Sequence, residues 1–283
     1  MITKEMTKPL VAKKKFHLHI DQKKVQRLRQ FSALLAFFLI WQLFSVWNQS
    51  AEFFNPKFLP SVTQVIATTV EGLQSGELTA AILASLGRVF AGFLLGTLIG
   101  VVLGVIMSSV RLINDLISPI LNLLGPIPVY AFLPIFMIWF GISEQSKVLL
   151  IAYATFLPVL TYTVDGIKSV NPVWIRSVRS LGATNFQVYK EVLIKAALPN
   201  VFVGMKISLA LAFGALIVAE MMGASEGLGF IIVNARNWFK LDDMFMSCII
   251  IGLLYSFFTW VLTVTERYLF KWKRDGVHSA IEK

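Results

Sequence analysis

Few side chains in this sequence are of a type and spacing that make or break bonds. One cysteine, Cys248, allows neither an intrachain disulfide nor a cysteine metal cluster. It lies in an apolar run and is expected to be a buried, inert thiol. The histidines His17, His19 and His278 stand in polar ends, so no metal site is expected. The apolar runs contain no paired acids, no HExxH and no Ser/His set, and the chain has no G-x-x-x-x-G-K-[ST] phosphate loop. The sequence therefore does not read as an enzyme, and no cofactor is expected on this chain. What needs explaining is charge in greasy surroundings: Arg88, Lys206 and Glu220. The residues between Lys206 and Glu220 make roughly 20 Å of helix, so these two cannot pair. Lys206 is expected to snorkel inward and Arg88 outward. Glu220 has three readings: a cavity residue, an ion-pair partner for Arg88, or an interfacial acid.

The elements that hold these residues follow from composition. The chain has 283 residues, 56% of them apolar and 15% charged, with a mean hydropathy of +0.71 and a net charge of +10. Soluble domains carry roughly 25% charged residues. A soluble enzyme, a disordered chain and a fibrous protein are all but excluded, and a multi-pass, all-α membrane protein is expected. Six runs approach the roughly 20 apolar residues a spanning helix needs: 31–47, 89–110, the run between Asp115 and Glu144, 148–164, 199–222 and 244–265.

Charge orients them. With the N-terminus inside, twenty of the 26 Lys and Arg lie in residues 1–30, at Arg111, in the loop 166–198 and in the tail from 266. Four, Lys57, Lys147, Arg236 and Lys240, lie outside. This asymmetry places both termini in the cytoplasm and supports an even number of spans. The expected organisation is a basic cytoplasmic tail (1–30), a first span (31–47), an extracytoplasmic segment (48–80), a five-helix core (81–270) containing the loop 166–198, and a cytoplasmic tail (271–283). The first tail is read as solvated, with an interfacial helix on anionic lipid as the alternative. Nucleic-acid binding is not needed to explain the basic charge.

Two runs carry internal signals. Gly92, Gly96, Gly100 and Gly104 repeat every four residues, placing them on one helix face that another helix can approach closely. The third run holds Pro119, Pro126, Pro128 and Pro134. Interior prolines remove backbone hydrogen bonds, and broken backbone at membrane depth is tolerated where protein or a watery cavity surrounds it. Residues 125–134 are thus expected to line a cavity or moving seam. Pro126, Pro128, Tyr130, Pro134 and Glu220 are the candidates for a translocation path or gate.

The loop 166–198 is more than a connector. Asn171-Pro172 predicts a helix start. Trp174, Val178 and Leu181 follow at i, i+4 and i+7, and Gly182 predicts a left-handed stop. Thr184 to Gln187 is a capping box opening a second helix, with Phe186, Tyr189 and Leu193 along one side. Two short helices with a glycine corner, flanked by Arg176, Arg179 and Lys190, look like a docking surface for a soluble partner. The alternative is a helix lying flat on lipid headgroups.

Here the sequence resembles a family. Arg176-Ser177-Val178-Arg179-Ser180-Leu181-Gly182-Ala183 is similar to the cytoplasmic "EAA" loop of ATP-binding-cassette (ABC) importer permeases, which reads E-A-A, three residues, Gly, nine residues, then I-x-L-P. Gly182 fits the glycine, Val192 the I and Ile194 the L. Arg176, Ser177 and Val178 replace E-A-A, and Lys195 replaces the proline. Further stretches resemble the nitrate, sulfonate and taurine branch of type I importers: Phe58-Leu59-Pro60-Ser61, Ser85-Leu86-Gly87-Arg88, Trp139-Phe140-Gly141, Ala219-Glu220-Met221 and Gly227-Leu228-Gly229. The resemblance covers residues 55–270.

It implies a type I permease in a bacterial inner membrane, conducting a small anionic solute of the sulfonate, taurine or nitrate type. Two ATPase subunits would sit beneath two permease chains, most simply a homodimer, and use ATP and Mg. An extracytoplasmic binding protein would deliver the solute. Trp174, Arg176, Ser177, Val178, Arg179, Leu181, Gly182 and Ala183 would form the coupling helix and corner held by the ATPase. The competing function is an ion-driven secondary transporter, which would show inverted repeats and mid-membrane acids.

Overall fold

The computed structural model describes residues 22–270, and every element in that range is helical. The expectations for residues 1–21 and 271–283 lie outside the described residues. The chain divides into two compact units, Met1–Phe54 and Asn55–Lys283. The first holds α1 (Gln22–Ala51). Its helix already runs through 22–30, so the expected boundary between tail and first span is not a break in the backbone.

The second unit begins with α2 (Val62–Ser75), whose start is fixed by a capping box between Ser61 and Gln64. Gly76, at φ +78°, turns the chain into α3 (Glu77–Ser109). α3 therefore starts four residues before the expected core boundary at 81. Then come α4 (Arg111–Leu124), a 3-10 turn (Val129–Phe132), α5 (Leu133–Phe140) and α6 (Glu144–Lys168). The short α7 (Pro172–Ser180) precedes α8 (Asn185–Gln187), a π-helical segment (Val188–Leu193) and α9 (Ile194–Gly223), which run on without interruption. α10 (Leu228–Asn237) and α11 (Leu241–Leu269) complete the fold.

Among the described residues, five helices are long and apolar enough to cross a membrane: 28–51 within α1, α3, α6, the continuous helix 185–223, and α11. The third expected span is not one helix. α4 and the segment Val129–Phe140 meet at a 95° bend, so the sixth crossing is a broken span or a re-entrant loop. The cause is local. Pro126 and Pro128 occupy the turn between the pieces, and neither supplies a backbone N–H to continue α4. Pro134 stands in the first turn of α5, where a missing N–H costs nothing.

α6 is the central helix, packed on α3 along one side and α9 along another. Gly92, Gly96, Gly100 and Gly104 are all buried on the α3 face turned to α6. A Cβ on Gly92 would stand 2.6 Å from Ile151 Cβ, and one on Gly104 2.7 Å from Thr163 Cβ. Ala152 and Thr155 meet Gly96, and Val159 meets Gly100. Lipid gives helices no hydrophobic reward for pairing, so this backbone approach supplies the dispersion contact instead. Cys248 is exposed on α11, not buried as expected. Its run is apolar because it is a membrane helix, and apolarity in such a helix does not mean burial in protein.

Candidate functional site

Two constellations stand out, at opposite ends of the α3–α6–α9 core. At the end that the cation count assigns to the outside, the charges in the apolar runs are paired. Arg88 on α3 is 4% exposed and Glu220 on α9 is 1% exposed. Arg88 Nη1 donates to Glu220 Oε1 at 2.7 Å and to the carbonyl of Glu226 at 2.8 Å. Its Nε and Nη2 hold both oxygens of Glu144, the first residue of α6, at 2.5 and 2.9 Å. Lys147 Nζ donates to the same carboxylate at 2.7 Å. Ser85 Oγ donates to Glu220 at 2.8 Å and accepts from Leu228 N, while Gly229 N donates to Glu220 Oε2 at 2.8 Å. Two cations and two carboxylates thus balance, and each oxygen of Glu220 has partners. A buried ion pair survives only with this degree of satisfaction.

Glu220 is therefore not a cavity residue in this fold. Its assignment to a path or gate is replaced by a structural one, because Arg88, Ser85 and the turn before α10 enclose it. Arg88 does not snorkel outward either, since two carboxylates hold it inside. A Cβ on Gly227 would fall 2.5 Å from Glu220 Cδ, which explains the glycine at that turn. At the other end, Lys206 pairs with Glu266 of α11.

At the cation-rich end stands the corner after α7. Asn171 Oδ1 accepts from Val173 N at 2.9 Å, capping the helix that Pro172 opens. The other end closes as a Schellman turn: Ala183 N donates to the Val178 carbonyl at 3.3 Å and Gly182 N to that of Arg179 at 2.9 Å. Gly182 takes φ +85°, where a side chain is strained. Thr184 and Gln187 then cap each other, with Gln187 N on Thr184 Oγ1 at 3.3 Å and Thr184 N on Gln187 Oε1 at 2.8 Å. Arg179 Nη2 reaches across the corner to Asn185 Oδ1 at 3.0 Å.

The helix after the corner is not a separate short one. α8 passes through the π-helical segment into α9, so the corner is fixed to the end of a span. Tyr189 Oη donates to the Val105 carbonyl at 3.1 Å, tying this junction to α3. The exposed face is apolar: Leu181 is 87% exposed, Phe186 74% and Trp174 56%. Arg176, Ser177 and Arg179 are also exposed, while Val178 and Ala183 are half-buried.

Pro126, Pro128, Tyr130 and Pro134 lie on the surface of the broken span, Tyr130 at 59% exposure. No sequence signal joins Glu144 or Lys147 to a partner: Glu144 marks the end of an apolar run, and Lys147 is one of the four outer cations. Ser85 and Gly229 were visible solely as parts of family-like stretches.

Comparison with known proteins bears on the whole arrangement. The family described as binding-protein-dependent transport system inner membrane component matches residues 92–275. A putative aliphatic sulfonates transport permease protein of Bacillus subtilis (strain 168) is 34% identical over 217 residues, covering 77% of this chain and 79% of that one. The taurine transport system permease protein of Escherichia coli (strain K12) is 33% identical over 237 residues, covering 81% and 86%. In fold, the chain is similar to a subunit of the inward-facing MetNI methionine ABC transporter, with a TM-score of 0.61 at 19% identity over 69% of this chain and 97% of the other. It is similar also to a chain of an amino acid ABC transporter, with a TM-score of 0.59 at 18% identity over 71% and 97%. These matches set aside the ion-driven alternative: the chain belongs to the inner membrane components of binding-protein-dependent transport systems and is a multi-pass, type I permease of an ABC uptake system, not an enzyme.

Proposed function

We propose that this permease conducts a small anionic solute, of the sulfonate or taurine type, and that the α7–Gly182 corner is where a separate ATPase drives it. The observation that carries the coupling half is the exposed apolar face of Trp174, Leu181 and Phe186 on a corner locked by two caps and a left-handed glycine. Such a face has no use in water and fits a groove in a soluble partner. The corner continues into α9, so a displacement imposed on it is delivered directly to a span. ATP and Mg are used on the partner, two copies of which serve a pair of permease chains, most simply a homodimer. The solute class rests on the sulfonate and taurine permeases among the relatives. A binding protein on the outer side delivers it, and residues 126–134 of the broken span line its route.

Gly182→Pro tests the coupling. Proline cannot adopt φ +85° and has no N–H for the Arg179 carbonyl. The variant is expected to reach the membrane in normal amount and to lose solute uptake by the assembled transporter. Normal uptake with normal ATPase co-purification would remove the corner from the mechanism.

A further inference from the structure

The hydroxyl of Tyr153 is buried and has no hydrogen-bond partner among the described residues. Three other hydroxyls share this condition, those of Thr97, Ser247 and Thr259. They differ in kind. A Ser or Thr on a helix meets its need by rotating onto the carbonyl one turn back, as Thr155, Thr163 and Thr263 do here. A tyrosine hydroxyl stands at the far side of its ring and cannot reach its own backbone. Tyr153 must find a partner elsewhere, and a buried hydroxyl left without one carries its full desolvation penalty.

The surroundings say where that partner enters. Tyr153 lies nine residues from the start of α6, about 14 Å along the helix, and so well inside the apolar layer. Its neighbours Ile151, Ala152 and Thr155 serve the glycine face of α3. Tyr153 turns instead to the broken span. Phe132 packs edge-on against its ring at 4.9 Å between centroids, and Phe136 lies at 6.3 Å. Phe136 in turn stacks on Phe140 at 6.0 Å. The ring that carries the orphan donor is thus packed against aromatic rings of the broken span, a 3-10 turn and an eight-residue helix set off from α4 by a 95° bend.

We infer that Tyr153 is a solute-contacting residue: when the Val129–Phe140 segment moves, the rings of Phe132 and Phe136 withdraw and the Tyr153 hydroxyl donates to an oxygen of the transported oxyanion. This rests on the reading of the broken span as the route of an anionic solute. A neutral phenol suits that task. It offers a hydrogen bond to a sulfonate or carboxylate without a fixed positive charge that would retain the solute at mid-membrane. The covering rings keep the donor from water in the resting state.

The test uses the complete transporter, permease with its ATPase and binding protein, in liposomes, and compares Tyr153→Phe with wild type. Removing an unpaired hydroxyl should leave the melting temperature unchanged or raised. Half-saturation for taurine or ethanesulfonate uptake should rise about tenfold or more, as befits one lost hydrogen bond to a charged acceptor. A lowered melting temperature would place the hydroxyl in a structural hydrogen bond and overturn the inference, as would unchanged uptake. A second variant, Tyr153→Cys in a Cys248→Ser background, is treated with sulfonatoethyl methanethiosulfonate, itself a small sulfonate. Labelling during ATP turnover but not at rest is expected. Labelling with unchanged Tyr153→Phe uptake would keep the route and sink the contact. A thiol sealed in every state would sink both. If wild type carries neither probe, the solute reading fails by itself, and turnover-dependent labelling alone decides whether residue 153 meets the route.

Discussion

The Arg88 cluster and the α7 corner handle awkward side chains in opposite ways. The cluster places charge where charge is expensive and satisfies it within the chain: Glu220 and Arg88 are almost wholly buried, and Ser85, Gly229 N and Glu144 complete their hydrogen bonds. The corner places apolar rings where apolar surface is expensive, with Leu181 at 87% and Phe186 at 74% exposure. The corner's backbone is nonetheless as well satisfied as the cluster, through its caps and Schellman turn. A region balanced internally holds the fold. A region rigid in backbone yet unbalanced at its surface awaits something outside the chain.

The contrast gives an order of stability losses that runs opposite to the order of functional specificity. Glu220→Ala leaves Arg88 half-paired in a dry site and should cost about 3–5 kcal/mol, read as a collapse in membrane abundance and melting temperature. Gly96→Leu forces a side chain into Thr155 and the α6 backbone, and overpacking of this sort costs about 1–3 kcal/mol or more. Its expected signature is a lower melting temperature with the remaining folded protein still binding the ATPase. Thr184→Ala removes one cap and should cost about 1 kcal/mol, with a measurable loss of coupling because the corner loosens. Leu181→Asp touches only exposed surface and should change stability by no more than about 0.5 kcal/mol, yet weaken ATPase co-purification most. If Leu181→Asp melted the protein as Glu220→Ala does, the division between the two regions would disappear.

What the sequence disclosed follows the same division. The corner was legible residue by residue, since caps and a left-handed glycine act within four or five positions. Asn171, Gly182, Thr184 and Gln187 all do in the structure what their spacing predicts. The glycine repeat on α3 was legible as a face, though nothing in it named α6 as the partner. The broken span was visible in Pro126 and Pro128, but not its 95° bend, which depends on how both pieces pack. The charge cluster was the hardest to see. Arg88 lies 56 residues from Glu144 and 132 from Glu220, so sequence spacing leaves three readings of Glu220, with interfacial or structural pairing ahead of a cavity role, and the fold selects the ion pair. Cys248 misled because apolar neighbours signal burial in soluble proteins and lipid contact in membrane ones.

Coupling through the α7 corner requires that the corner be a docking surface separable from the fold. The direct measurement is quantitative co-purification of the ATPase subunits with the permease carrying Trp174→Asp and Leu181→Asp together, against membrane abundance of the same variant. The expected result is near-normal permease in the membrane with the ATPase lost from it. Full retention of the ATPase at normal permease abundance would contradict the account.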